Sequence, residues 1–160
     1  MSELEELKAA IDELRDIEAI KTLKSRYCHL VDARRWDELL ELWTEDAVCD
    51  YGFFGAYKGR EEIVYKFFGE MVESVSSFMA HMVHNPLIEL AGNDAKGTWY
   101  LTAQTTNQPS NRAVWVMGFY RDEFKRIDGS WKISSLKFEF QYFTPFEDGW
   151  AKTPMWEIPD

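Results

Sequence analysis

The sequence predicts an α+β fold in which N-terminal helices pack against a curved, mostly antiparallel sheet. Apolar residues recur every three or four positions over residues 4–31, whereas long alternating segments follow Phe78. Asp128 and Gly129 separate the last two segments, and Asp-Gly is a strong hairpin signal. We expect one domain over residues 1–160, with a helical extension at residues 1–15 and an irregular, aromatic tail at residues 144–160.

The helices come first along the chain. Residues 4–31 have the spacing of one helical face, and Asp16 is a candidate cap inside them, which leaves open one long helix or two in line. Residues 36–43 predict a second, short helix. A third helix is predicted over residues 60–75, despite the glycine at its centre.

The strands follow the helices. Residues 47–51 predict a first short strand, and four longer ones are predicted over residues 79–90, 95–107, 113–126 and 131–142. A curved sheet of such strands, wrapped on a long helix, encloses an apolar interior in the shape of a cone.

Charge excludes several classes of partner. The chain has 18 Lys and Arg against 28 Asp and Glu, a net charge of −10 and a pI of about 4.8. A nucleic-acid interface and an anionic membrane surface both require a basic face, so neither partner is expected. The charged N-terminus carries no export signal, and Cys28 and Cys49 have the apolar surroundings of reduced core thiols, which indicates a cytoplasmic protein.

The spacing of the candidate ligands argues against a metal or a cofactor. His81 and His84 lie in one predicted strand, where alternation points their side chains to opposite faces unless a bulge intervenes. Zinc requires convergent ligands, and no paired-cysteine motif or glycine-rich phosphate loop occurs. Acid–base chemistry on a neutral, apolar molecule remains, and a structural histidine is the plain alternative.

Asp32 is the carboxylate that calls for explanation. It ends the apolar helical segment, where a negative charge opposes the helix dipole. Pairing with Arg34 or Arg35 explains it structurally. A hydrogen bond to an imidazole explains it functionally.

Several motifs occur along the chain in a fixed order. They are Asp16-Ile17-Glu18-Ala19-Ile20, Tyr27, Asp32, Trp36-Asp37-Glu38-Leu39, His81-Met82-Val83-His84-Asn85-Pro86, Gly97-Thr98-Trp99-Tyr100-Leu101, Ile127-Asp128-Gly129-Ser130-Trp131 and Tyr142-Phe143-Thr144-Pro145. Together they resemble the SnoaL-like branch of the nuclear transport factor 2-like superfamily. The resemblance implies a cone-shaped α+β barrel with a hydrophobic pocket, no cofactor and often a trimeric assembly.

The resemblance also implies catalytic residues. In dehydratase and dehydrochlorinase members, a histidine at the position of His81 removes a proton, and an aspartate at the position of Asp32 orients it. One dehydratase member also uses a tyrosine that matches Tyr27. The same member has an acid where this chain has Ala103, so the chain departs from it there.

The functional expectation is a cofactor-independent lyase, of dehydratase or dehydrohalogenase type, acting on a small hydrophobic, cyclic molecule. Isomerase or cyclase chemistry with the same base, and a non-catalytic binding module, are the alternatives. The expected assembly is a homo-oligomer, a trimer before a dimer, with the aromatic tail at the contact. Candidate substrate-binding residues are Tyr51, His84, Trp43, Phe54, Trp99 and Trp115.

Overall fold

The computed structural model describes residues 2–158 as helices packed on one six-stranded sheet. The sheet has the order β2-β1-β6-β5-β4-β3, and neighbouring strands are antiparallel except β1 and β6. In chain order the elements are α1 (Glu3–Asp32), α2 (Trp36–Leu40), β1 (Trp43–Asp50), β2 (Ala56–Lys58), α3 (Glu62–Val72, with π-type hydrogen bonds), α4 (Glu73–Val75), β3 (Ser76–Ala91), β4 (Asp94–Asn107), β5 (Arg112–Ile127), β6 (Ser130–Pro145) and α5 (Gly149–Lys152). The α+β prediction is confirmed.

Helix α1 is a single helix, which settles the alternative left open by Asp16. Its N-terminus is a capping box: the Ser2 hydroxyl accepts from the Glu5 N–H, and the Glu5 carboxylate accepts from the Ser2 N–H. Asp16 does not cap a helix. Its carboxylate accepts hydrogen bonds from Arg126 and from the Trp131 indole, and so ties the helix to the sheet.

The apolar residues of α1 occupy two faces, not the single face that their spacing predicted. Between Leu14 and Leu23 they recur at three successive intervals of three, and each such interval turns the stripe back by about 60°. The stripe therefore moves to the opposite side of the helix. Before that region the apolar side chains are exposed, and after it they are buried on the sheet.

The four long strands form a strongly coiled meander. The β5–β6 hairpin turns at Asp128 and Gly129, both with positive φ, as the Asp-Gly signal predicted. Register shifts near Gly118 and near Phe124 bend the β5–β6 pair. A side chain at position 118 would lie 2.4 Å from the Glu139 carbonyl oxygen, so only glycine fits the bend.

Several elements differ from the sequence-based expectation. Strand β1 begins at Trp43, where a helix was predicted, and β6 runs on to Pro145, into the region expected to be irregular. The chain then folds back, so that the Trp156 N–H donates to the Phe143 carbonyl at 2.7 Å. Among the described residues, no helix is long and apolar enough to cross a bilayer.

Candidate active site

An aspartate at the end of α1 meets a histidine on β3. The Asp32 Oδ1 lies 2.5 Å from the His81 Nδ1, and the Asp32 Oδ2 accepts the backbone N–H of His81 at 2.9 Å. Both carboxylate oxygens therefore hold one residue, which offsets the unfavourable position of an acid at a helix C-terminus. The neutral imidazole that donates through Nδ1 has its lone pair at Nε2, and no described residue bonds that nitrogen.

His81 lines a cavity of about 120 Å³ between the helices and the concave face of the sheet. The side chains of α1, α3 and strands β4 to β6 make most of its wall apolar, and Ile158 of the tail also lines it. The apolar wall includes Val31, Phe67, Phe68, Leu101, Val116, Phe138 and Phe140. Ala103 pairs with His81 across β3 and β4 and also lines the cavity, so this part of the wall is a methyl group.

Three tyrosines form one polar region of the cavity, and Ser76, Gln104, Thr105 and Asn107 also line it. The Tyr27 and Tyr51 hydroxyls hydrogen-bond to each other, and the Tyr120 ring packs edge-on against that of Tyr27. Burial raises the pKa of all three phenols well above the ordinary 10.0. All three are therefore neutral, and because one hydroxyl of the Tyr27–Tyr51 pair donates to the other, only the accepting one has its proton free for a ligand.

A buried ion pair lies behind these tyrosines. The Lys24 Nζ is 2.8 Å from the Asp122 Oδ2, and both side chains are fully buried. The same ammonium lies 3.3 Å from the centre of the Tyr120 ring and 4.5 Å from that of Tyr27. Burial raises the pKa of Asp122, and the charge of Lys24 opposes that rise.

The structure brings four of the predicted tyrosine, histidine and aspartate side chains to one place. Asp32 and His81 pair at the cavity, and Tyr27 and Tyr51 lie on its wall. Phe54 also lines it. Their roles in substrate binding or catalysis stay predictions.

The structure places the other four predicted binding residues away from the cavity. Trp43 and Trp99 are buried in the core, where Trp99 packs edge-on against Phe124. Trp115 stacks on Phe146. His84 is exposed on the face opposite His81, because the register shift of β3 comes only after it. These four residues do not line the cavity, and any role of theirs in substrate binding stays a prediction.

Sequence reasoning missed Tyr120, Lys24 and Asp122. Tyr120 lies at one of the alternating buried positions of β5, and ordinary core residues show the same pattern. Lys24 is a charged residue on the buried face of α1, which is a signal for a buried partner. Its partner lies on β5, far along the chain, and no local pattern identifies it.

Within residues 2–158, no group of three or more His, Cys, Asp and Glu side chains converges as metal ligands do. Cys28 and Cys49 are buried free thiols, and burial raises the pKa of Cys28 to about 12.

Comparison with known proteins decides the family. The family model described as the SnoaL-like domain matches residues 12–137. The chain belongs to the SnoaL-like domain family. The fold and the resemblance in the sequence agree with this membership.

Relatives of this SnoaL-like protein include enzymes. Hexachlorocyclohexane dehydrochlorinase 1 of Sphingobium indicum is 29% identical over 140 residues, which cover 84% of this chain and 88% of the relative. The crystal structure of a type 2 hexachlorocyclohexane dehydrochlorinase superposes with a TM-score of 0.81 at 26% identity, covering 86% of this chain and 93% of the other. A scytalone-dehydratase-like protein from Novosphingobium aromaticivorans has a TM-score of 0.75 at 21% identity, covering 84% and 89%, and shares the fold.

Proposed function

We propose that this SnoaL-like protein is a cofactor-independent lyase of the dehydrohalogenase or dehydratase type. The observation that carries the proposal is the pair of Asp32 and His81 at an apolar cavity. Its dehydrochlorinase relatives support the reaction class. His81 acts as the general base, and Asp32 fixes its tautomer and stabilises the imidazolium that forms.

The elimination step follows from this arrangement. The His81 Nε2 takes a proton from one carbon, the electrons of that C–H bond form a double bond, and the leaving group departs from the neighbouring carbon with its bonding electrons. The hydroxyl pair of Tyr27 and Tyr51 offers one free O–H donor to the departing atom. Their raised pKa disfavours full proton transfer, so the site suits a halide, which needs a hydrogen bond but no proton. When the leaving group is hydroxide, the imidazolium of His81 supplies the proton.

The cavity supports a small, neutral, cyclic substrate. An apolar cavity of about 150 Å³ holds one benzene ring, and the cavity here is about 120 Å³. The methyl group of Ala103 beside His81 provides no charge that would hold a polar or ionic substituent. A single halogenated or hydroxylated ring fits these conditions better than a fused ring system.

A screen of halogenated and hydroxylated monocyclic compounds tests the proposal. We expect halide or water release together with an alkene product, measured by ion chromatography and mass spectrometry. His81→Gln lowers turnover by about 10²–10⁴-fold, the contribution of a positioned base. His84→Gln, an exposed histidine of the same strand, leaves turnover unchanged and is the matched control.

Other outcomes would contradict the lyase. A product of unchanged mass, formed without release of a group, assigns isomerase or cyclase chemistry to the same base. Saturable binding of these compounds without turnover assigns a binding module. Full turnover in His81→Gln shows that another group takes the proton.

We further propose a homo-oligomer in the cytoplasm, a trimer before a dimer, with the tail at the contact. Phe146 and Trp150 are large, exposed apolar side chains in this tail. The free thiols of Cys28 and Cys49 support a reducing compartment. Sedimentation equilibrium that shows only an 18.8 kDa species at micromolar concentration would contradict the assembly.

A further inference from the structure

The first half of α1 carries an apolar seam that no described residue covers. We define the seam as Leu4, Leu7, Ile11 and Leu14, whose exposed fractions run from 41% to 76%. All of residues 2–15 are exposed. This part of the helix, about 20 Å long, therefore stands clear of the body of its own protomer.

The seam has the spacing of a coiled coil. Its residues follow one another at intervals of three, four and three, which are alternating a and d positions of a heptad. Leu7 and Leu14 occupy d, and Ile11 occupies a, a combination that favours paired helices. A solvated helix of this length is marginal by itself, and burial of the seam stabilises it.

The protomer cannot bury the seam against its own sheet. The stripe of apolar residues on α1 changes side between Leu14 and Leu23, so the seam lies on the face opposite the one that packs in the core. Turning the helix to bury Leu7 would expose Ile20 and Val31. The seam is therefore available only to another molecule.

Charged residues beside the seam favour a second copy in parallel orientation. Glu3 lies at a g position on one side, and Lys8 and Arg15 lie at e positions on the other. In a parallel pair, Glu3 of each copy faces Lys8 of the other, whereas an antiparallel pair sets Lys8 against Arg15. The outer face bears Glu5, Glu6, Asp12 and Glu13, and such an acidic face is unlike the basic one of a helix that binds anionic lipid.

We propose that the seam pairs in parallel with the same seam of a second copy of this chain. This contact is separate from the aromatic tail and does not depend on the lyase function. It lies almost wholly outside residues 12–137, the residues that the family model matches.

Disulfide cross-linking of the full chain tests the pairing. In a parallel pair, two copies of residue 14 lie opposite each other, close enough for a disulfide, whereas an antiparallel pair sets residue 14 beside residue 4. We expect oxidised Leu14→Cys to form a covalent dimer on a non-reducing gel. Ala9→Cys, exposed on the other side of the same helix, is the matched control and stays monomeric. Cys28 and Cys49 are buried and do not interfere.

A second variant tests whether the seam itself drives the contact. In the Leu14→Cys background, Leu7→Glu places a charge in the seam and lowers the cross-linked fraction by about tenfold or more, whereas Ala9→Glu leaves it unchanged. A Leu14→Cys yield no greater than that of Ala9→Cys overturns the proposal. So does cross-linking that survives Leu7→Glu. A third outcome also overturns the proposal: the chain floats with anionic vesicles, Leu7→Glu abolishes this flotation, and Leu14→Cys does not cross-link. That result assigns the seam to lipid.

Discussion

Two carboxylates of this protein each pair with a basic side chain, and they do so in different surroundings. Asp32 keeps about 26% of its side chain exposed and accepts two hydrogen bonds from His81. Asp122 is fully buried against Lys24. The first pair faces a cavity, and the second lies behind its tyrosines.

The difference bears on which pair could act as a base. A base must reach its substrate, and the His81 imidazole lies on the cavity wall. An ammonium in the core cannot exchange its proton with a ligand, since the rings of Tyr120 and Tyr27 cover it. We infer that Lys24 and Asp122 hold the wall of the cavity, whereas Asp32 and His81 act on what it contains.

Asp32→Asn is expected to lower turnover by almost as much as His81→Gln does. The amide keeps the size of the side chain but removes the charge that orients His81 and stabilises its cation, so turnover falls by about 10³-fold or more. The free energy of unfolding changes little. Asp32→Asn combined with His81→Gln is little worse than His81→Gln alone, because the two residues act as a unit. Losses that multiply in the double variant would contradict this pairing, and steady-state kinetics measures them.

Lys24→Met breaks the other pair and acts on stability. It leaves Asp122 buried without its partner, which costs about 3–5 kcal/mol of unfolding free energy. Lys24→Met combined with Asp122→Leu recovers most of the loss, since no unpaired charge remains. Lys21→Met removes a lysine from the solvent side of the same helix and changes stability by less than about 0.5 kcal/mol. Urea denaturation measures all three, and equal losses for Lys24→Met and Lys21→Met would show that the buried pair contributes nothing special.

Alkaline pH acts on the buried protons of the core. Burial raises the pKa of Cys28 from 9.0 to about 12 and that of Cys49 still further. The unfolded chain therefore loses these protons first, and stability that is complete below pH 9 falls as the pH rises toward the folded pKa. We expect the two thiols to cost about 2–3 kcal/mol between pH 8 and pH 10. Cys28→Ala combined with Cys49→Ala reduces this slope and leaves the part that comes from the buried phenols of Tyr27, Tyr51 and Tyr120, and an unchanged slope in urea denaturation would contradict the assignment.

Much of the fold follows from local patterns. Asp128 and Gly129 predict the β5–β6 hairpin because their own backbone conformations make the turn. The prediction of a single apolar face along α1 was wrong. Successive three-residue intervals after Leu14 look regular in the sequence, but they rotate the apolar stripe to the other side of the helix. Strand β2 has only three residues and depends on pairing with β1, so its own sequence does not specify it.

The candidate site was predictable where local and family signals coincide. Asp32 is unfavourable at a helix C-terminus, and that local conflict pointed to a partner such as His81. Alternation along a strand gives the face of a residue but not its distance from a cavity. Trp43 and Trp99 therefore have the sequence pattern of residues that line a cavity, although they lie in the core.

Tyr27→Phe is expected to have the smallest effect on the reaction. The Tyr27 hydroxyl bonds to that of Tyr51 at the cavity wall, and its raised pKa makes it a donor of a hydrogen bond rather than of a proton. Loss of one such donor, with Tyr51 left in place, lowers turnover by about tenfold and changes substrate affinity less. Tyr65→Phe removes an exposed phenol that bonds to Asp37, and turnover there stays at the wild-type level. A loss in Tyr27→Phe as large as in His81→Gln would show that the phenol itself transfers a proton, and full activity would place the leaving group away from the tyrosines.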